Sequence, residues 1–162
     1  DLKSWMKETD EKVKKIGQVA SEAGRVRHMP KAPKIWKGHH DYILDSLEIW
    51  KQFNDDPKRY NQIKFLRKEM INYLNNGKNF QIQSLAASIT NRACIAIARE
   101  LKRKGVDGHV CAQIHDQIIV RVPKSEAKQW QKTVQFLMEN VYKLSLPLKA
   151  PAEISGDFYE GH

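Results

Sequence analysis

A two-residue polar joint between two apolar runs is the feature of this sequence that most constrains its fold. The runs "HVCAQI" (109–114) and "QIIVRV" (117–122) have the composition of β-strands, and only His115 and Asp116 separate them. A joint this short is typical of an antiparallel hairpin. The sequence therefore predicts a rigid hairpin with an ionisable His-Asp pair at its tip.

Periodicity and breaker residues predict the other elements. The apolar spacing predicts helices, and Gly, Pro and Asn clusters such as "NNGKN" (75–79) are read as breaks between them. The predicted elements are a helix at 2–16, a short hairpin within 18–30, a loop at 30–40, helices at 41–53, 57–75, 82–104 and 125–143, and a last strand near 152–157. This order predicts an α+β fold with helices packed on one face of a small antiparallel sheet.

The chain is basic, and its positive charge is concentrated near one end. It has 28 Lys and Arg against 19 Asp and Glu, which gives a formal net charge of +9. Between Lys12 and Lys37 there are eight basic residues and one acid, Glu22. Clustered cations favour a polyanionic partner, because binding releases counterions from phosphates. A solvated basic surface that only aids solubility explains the composition equally well.

Cysteine usage and hydropathy indicate the cell interior. Cys94 and Cys111 lie in apolar runs without metal-ligand spacing, so we expect both to be reduced core residues. No apolar run approaches the length needed to cross a membrane, and the first residues lack a signal-peptide core. We therefore expect a cytoplasmic protein without a membrane partner.

A carboxylate at the tip of a hairpin is well placed to bind a metal ion. Two strands hold Asp116 in position, and hard cations such as Mg²⁺ prefer oxygen ligands. One Asp is not enough for a two-metal site, which needs at least a second carboxylate. The local pattern alone also fits an Asp that accepts hydrogen bonds from turn amides, which is the commoner role.

Several motifs in a fixed order resemble the carboxyl-terminal palm of family A DNA polymerases, the bacterial polymerase I type. The motifs are "GRVRHMP" (24–30), the Asn79, Gln83, Ala86, Ala87 and Ile89 pattern, the His-Asp hairpin and the ending "LPLKAPAEISGDF". The resemblance covers residues 2–30 and 79–162. We therefore expect a palm helix and hairpin at 1–30, a basic loop and helical insertion at 31–78, and the palm core at 79–162.

The resemblance implies catalytic roles for Asp116 and His115. Asp116 would bind the catalytic Mg²⁺ ions, in a two-metal site completed by an Asp that is not in this chain. His115 would contact the primer backbone near its terminus. His115 considered alone is more often a packed or hydrogen-bonded imidazole.

The resemblance also implies four DNA-binding residues besides His115. Asn79 and Gln83 would donate to minor-groove acceptors, which every base pair presents, and so check pair geometry without sequence preference. Arg25 and Arg27 would contact phosphates of the duplex. Each has a simpler explanation: Gln83 as a helix cap, Asn79 as a turn residue, and the two arginines as a solvated hairpin face.

Three features depart from the family pattern. Gln117 replaces the Glu that the family has after its His-Asp pair, and a neutral amide adds no negative charge to a metal site. Ser84 and Ser88 replace a common Gly and Asp, which we expect to be tolerated on a helix surface. The first palm motif and the fingers helix are not in this sequence, and "DYILDSLEIW" (41–50) resembles the first motif only superficially.

The resemblance thus predicts the carboxyl-terminal part of a DNA-directed DNA polymerase of phage-like type, acting in the host cytoplasm if phage-encoded. Its partners would be primer–template DNA, dNTP and the remaining polymerase segments with the first palm motif, fingers and thumb. It would be inactive without them. One alternative is a non-catalytic DNA-binding accessory subunit with a polymerase-palm shape. Another is a basic module that binds RNA or a protein through residues 12–37.

Overall fold

The computed structural model describes residues 1–44, 51–53 and 55–157. In chain order the elements are α1 (Leu2–Lys15), β1 (Gln18–Ala20), β2 (Val26–His28), α2 (Ala32–Leu44), α3 (Pro57–Lys104), β3 (His109–Ile114), β4 (Gln117–Arg121), a 3-10 turn (Lys124–Glu126) and α4 (Ala127–Asn140). Two two-stranded antiparallel sheets, β1-β2 and β3-β4, accompany the helices in the described part of the chain. The predicted α+β class is confirmed.

The chain divides into two compact units, Asp1–Leu85 and Ala86–His162, and α3 contributes residues to both. Within the described residues, no helix is long and apolar enough to cross a membrane.

The first unit is built around a buried cluster that joins α1, the β1-β2 hairpin, α2 and α3. Its buried members are Val13, Val19, Met29, Ala32, Ile35, Ile43 and Met70. Residues from the predicted segments 1–30 and 31–78 therefore share one core. Whether 31–78 is an insertion stays a prediction.

The predicted loop at 30–40 was wrong, because these residues form most of α2. Pro33 lies in the first turn of the helix, where a missing N–H costs nothing. Ala32 and Ile35 are buried in the cluster, and this burial stabilises a helix that the prolines and glycine had argued against. Of the predicted helix at 41–53, residues 41–44 complete α2, residues 51–53 are helical, and residues 45–50 lie outside the described residues.

The predicted break at 75–79 was also wrong, because α3 runs without interruption for 48 residues. Its start was predicted correctly: Pro57 is the first helical residue, and the Asp56 carboxylate accepts a 2.9 Å hydrogen bond from the Arg59 amide. Gly77 lies inside the helix and is buried. A Cβ atom at this position would lie 2.6 Å from Val13 Cγ2. The glycine therefore serves the close approach of α1 to α3 rather than a turn.

The second unit packs α3 and α4 against the β3-β4 hairpin. Its buried residues are Ile97, Leu101, Trp130 and Val134, and Val110, Ile118 and Val120 pack against them from the strands. Gly105 ends α3 in a left-handed conformation with φ of 66°. The Val106 amide then donates to Leu101 O at 3.2 Å, as in a Schellman motif. Helices thus cover one face of this small sheet, as predicted.

The last predicted strand, near 152–157, was wrong: residues 151–157 are not in a strand. Side chains of α4 hold this segment instead of a neighbouring strand. Gln131 Nε2 donates to Ala152 O at 2.6 Å, and the Ala150 amide donates to Glu139 Oε1 at 3.2 Å.

We expect Gly77→Ala to destabilise the protein by about 1–3 kcal/mol, because overpacking against Val13 outweighs the gain of up to ~1 kcal/mol in helix propensity. Gly38→Ala in α2 is the matched control, since a Cβ there meets no atom within 4 Å. Urea unfolding of both variants measures the difference. Equal stability of Gly77→Ala and wild type would contradict the close-packing role.

Candidate functional site

The predicted His-Asp hairpin forms as expected. Ile114 pairs with Gln117 across the two-residue turn, and both His115 and Asp116 are exposed at the tip. His115 has φ of 54°, in the left-handed region that non-glycine residues seldom occupy. Strands on both sides hold this conformation, so the tip is a rigid platform for two ionisable side chains.

The Asp116 carboxylate is not used by the turn. No hydrogen bond or ion pair joins it to any other described residue, so it does not satisfy turn amides. This removes the simpler explanation that the local sequence pattern favoured. Both carboxylate oxygens are available to a ligand.

The donor atoms at the tip fit part of a Mg²⁺ site. An exposed carboxylate is the kind of oxygen ligand that Mg²⁺ takes from a protein, with substrate phosphates and water completing the octahedron. Among residues 1–44, 51–53 and 55–157, no group of three or more His, Cys, Asp and Glu side chains is placed to hold a metal. Asp116 can therefore be one ligand of a site whose other ligands come from elsewhere.

A β-bulge orients the residues that support the hairpin. The register shifts between Val110 and Ala112, so Cys111 has no partner on β4. Beyond the bulge Gln113 pairs with Ile118, which faces the core. Gln113 Oε1 then accepts a hydrogen bond from Cys94 Sγ on α3 at 3.4 Å. Sequence analysis missed Gln113, since a bulge leaves no signal in an alternating strand pattern.

The structure corrects one prediction about the cysteines. Cys111 is exposed rather than buried in the core, as are the residues two positions away on β3, His109 and Gln113. Cys94 is partly buried, and this burial raises the pKa of its thiol.

Asn79 and Gln83 lie in the middle of α3 with exposed side chains. A spacing of four residues places them on one side of the helix. Because α3 begins at Pro57, Gln83 is not a helix cap and Asn79 is not a turn residue. Neither amide has a hydrogen-bond partner among the described residues. Both are available to an external ligand.

The opposite side of α3 is fixed to α1 by three contacts. Gln81 Nε2 donates to Thr9 Oγ1 at 2.9 Å, Lys78 Nζ pairs with Asp10 Oδ1 at 3.0 Å, and Gly77 lies against Val13. At 100° per residue, Gly77 and Gln81 lie about half a turn from Asn79 and Gln83. The packed side therefore directs the two amides outward.

The β1-β2 hairpin brings one of its arginines to the same region of α3. The guanidinium carbon of Arg27 lies 5.9 Å from the centre of the Phe80 ring, within cation–π range. Arg25 is exposed, and its backbone amide donates to Ser21 Oγ at 3.2 Å. The structure thus brings Arg27 close to the Asn79–Gln83 turn and leaves the Arg25 side chain on the surface.

Ser84 and Ser88 are buried, so the prediction that they lie on the helix surface was wrong. Ser84 Oγ donates to Gln81 O at 3.4 Å, which satisfies its hydroxyl within the helix.

The predicted site residues are distributed over both units. Arg25, Arg27, Asn79 and Gln83 belong to Asp1–Leu85, whereas His115 and Asp116 belong to Ala86–His162. Contacts within its own unit hold each group of residues in place.

Comparison with known proteins places this arrangement in a family. The sequence model of DNA polymerase family A matches residues 1–160. The chain belongs to DNA polymerase family A.

Individual relatives support this assignment. The chain is 34% identical over 82 residues to DNA polymerase I of Bacillus subtilis and 37% identical over 82 residues to DNA polymerase I of Streptococcus pneumoniae. DNA polymerase I of Borreliella burgdorferi is 32% identical over 84 residues. The alignments cover 51–52% of this chain and 9% of each relative, so the chain matches a small part of those family A polymerases.

A solved structure has a similar fold. The POL domain of Pol1 from M. smegmatis, in complex with DNA primer-template and dNTP, matches with a TM-score of 0.61 and 21% identity. The match covers 91% of this chain and 21% of that one.

The two cysteines offer a check on the bulge. Iodoacetamide at neutral pH should alkylate Cys111 several-fold faster than Cys94, because Cys111 is exposed whereas burial raises the pKa of Cys94 and lowers its thiolate fraction. Peptide mass spectrometry over time measures both rates, and the urea-unfolded chain, in which they should converge, is the control. Equal rates in the folded protein would contradict the exposed bulge.

Proposed function

We propose that this chain is the carboxyl-terminal palm part of a DNA-directed DNA polymerase and that Asp116 is one of its Mg²⁺ ligands. The observation that carries the proposal is the unpartnered Asp116 carboxylate at the tip of a two-strand hairpin, in a chain of family A. The hairpin fixes this carboxylate where an external ligand can reach it, and the family A match supports a role in metal binding.

The hairpin would serve nucleotidyl transfer from dNTP to a primer. Mg²⁺, when bound, activates the primer 3′-hydroxyl and stabilises the leaving pyrophosphate. Asp116 would be a ligand of the metal, since β3 and β4 hold its carboxylate in a fixed position. His115, fixed beside it with φ of 54°, contacts the primer backbone near the terminus.

The exposed amides on α3 would meet the terminal base pairs. Purine N3 and pyrimidine O2 accept hydrogen bonds in every base pair, so Asn79 and Gln83 donate without sequence preference. Arg25 and Arg27 contact phosphates of the same duplex and position it. The Arg27 contact with Phe80 supports this grouping, because it holds a cation next to the two amides.

The partners that follow are primer–template DNA, dNTP and the polymerase segments that hold the first palm motif, fingers and thumb. The solved POL domain with the same fold carries DNA primer-template and dNTP, which supports the first two. Because Asp116 is not part of a metal-binding group among the described residues, a second carboxylate must complete the two-metal site. We propose that residues 1–162 are inactive without it, and that 31–78 is a helical insertion.

Asp116→Asn should reduce Mg²⁺-dependent primer extension by the assembled polymerase by at least about a hundredfold, because it removes a charged metal ligand but little volume. Asp107→Asn is the matched control, since Asp107 is an exposed carboxylate in the loop before β3. A gel assay with labelled primer measures both variants. Full extension by Asp116→Asn would overturn the metal-ligand assignment.

Replacing both amides, as Asn79→Ala with Gln83→Ala, should weaken primer–template affinity or extension by about tenfold to a hundredfold, from the loss of two hydrogen bonds. The effect should not depend on the identity of the terminal base pair, since all four pairs present the same acceptors. Gln129→Ala, an exposed amide on α4, is the control. A loss confined to one base pair would contradict minor-groove checking.

Gln117 is the observation that favours a second candidate function, a non-catalytic DNA-binding accessory subunit. It is exposed next to Asp116 and cannot add negative charge to a metal site. A Mg²⁺ titration separates the two functions: a polymerase palm requires the ion for its effect on primer extension, whereas an accessory subunit acts equally at each concentration.

In the polymerase, Gln117→Glu should lower the Mg²⁺ concentration needed for half-maximal extension.

A further inference from the structure

The side of α3 that carries Asn79 and Gln83 continues along the helix toward its amino terminus. Seven exposed polar residues recur on it at steps of three or four: Asn61, Lys64, Lys68, Asn72, Asn75, Asn79 and Gln83. At 100° per residue they fall within an arc of about 100°. We call this surface the amide–lysine face.

The opposite side of the same helix segment forms the core of the first unit. Ile63 and Met70 have no exposed surface, and Gly77 is buried against Val13. The core contacts thus fix the rotation of α3 about its axis, and this rotation presents the amide–lysine face outward. Packing of α3 in the core therefore decides which residues form this face.

The face carries two positive charges, those of Lys64 and Lys68, beside neutral amides. The one acid in residues 57–83, Glu69, lies outside the arc of the face. The Glu69 carboxylate is engaged by the Tyr73 hydroxyl at 3.0 Å. Lys64 and Lys68 form no ion pair with a described residue, although Lys64 Nζ lies 5.7 Å from the Tyr60 ring. Cations interspersed with neutral amides suit a surface of phosphate oxygens and groove-edge acceptors.

We propose that the amide–lysine face binds the phosphate backbone of the product duplex beyond its terminal base pairs. This inference rests on the proposed function, because Asn79 and Gln83 set where the duplex begins. Charge complementarity and continuity of the face determine the partner: the same side of one rigid helix carries the proposed groove contacts and, farther along, the lysines. The large exposed apolar side chains on this side are Phe65 and Ile82. They lie at opposite edges of the arc and about 25 Å apart along the helix, so they form no contiguous apolar patch for protein docking.

The length of the face predicts where along the duplex it acts. Asn61 and Gln83 are about 33 Å apart at 1.5 Å per residue, and Lys64 is about 22 Å from Asn79. At 3.4 Å per base pair, Lys64 and Lys68 would be reached only by a duplex longer than about five base pairs. A short duplex would engage the two amides alone.

The test compares two double variants of the full-length protein. One carries Lys64→Gln and Lys68→Gln together. The matched control carries Lys3→Gln and Lys7→Gln together. Lys3 and Lys7 are likewise exposed, four residues apart on a helix, and carry the same charge. Fluorescence anisotropy measures affinity for single-stranded DNA and for primer–templates of about five and about twenty base pairs over a range of salt concentrations. Circular dichroism melting verifies that each variant is folded.

We expect the Lys64 and Lys68 variant to bind the long duplex about tenfold more weakly, with a salt slope smaller by about 2, and to bind the short duplex as wild type does. The control should change neither. Equal losses in the two variants, or an equal loss on single-stranded and duplex DNA, would overturn the proposal.

The failure of this inference can be told apart from failure of the proposed function. If Asn79→Ala with Gln83→Ala weakens binding of both duplexes and the lysine variant weakens neither, the amide–lysine face is wrong and the palm function stands. If wild type binds neither duplex, both are overturned.

Discussion

The close contact between α1 and α3 at Gly77 is the constraint on which the first unit depends. A methyl group at this position would overlap Val13, so the two helices approach more closely than side chains normally allow. The Lys78–Asp10 ion pair and the Gln81–Thr9 hydrogen bond flank the contact and orient it. Together they fix the rotation of α3, and rotation decides which of its residues face outward.

This rotation connects packing to function. The buried side of α3 holds Ile63, Met70 and Gly77, and so Asn79 and Gln83 are directed outward on the other side. The β1-β2 hairpin contacts the same region of α3, where the Arg27 guanidinium lies over the Phe80 ring. A groove-reading surface needs donors held at a fixed spacing, and a continuous helix provides this better than a loop. The uninterrupted course of α3 would therefore serve the proposed groove contacts as well as the core.

The second unit holds one carboxylate, that of Asp116, at the tip of the β3-β4 hairpin. Packing of the β3-β4 hairpin on Ile97, Leu101 and Trp130 supports the strands, and the bulge at Cys111 turns Gln113 toward Cys94. The tip itself lies outside this core, which leaves Asp116 exposed and without a partner among the described residues. A site of this kind binds a metal only when phosphates or further carboxylates meet it.

The sequence by itself determined the elements that local chemistry specifies: the α1 helix, both hairpins, the start of α3 at Pro57 and its end at Gly105. It also indicated candidate site residues, since the order of motifs from Arg25 to Asp116 resembles one family, and their roles stay a prediction. Only the tertiary structure decided the rest. Burial of Ala32 and Ile35 made a helix of a proline-containing segment, and contact with Val13 kept α3 continuous through Gly77. Residues 152–157 remained outside any strand, and side chains of α4 instead bind the backbone there: Gln131 donates to Ala152 O, and Glu139 accepts from the Ala150 amide.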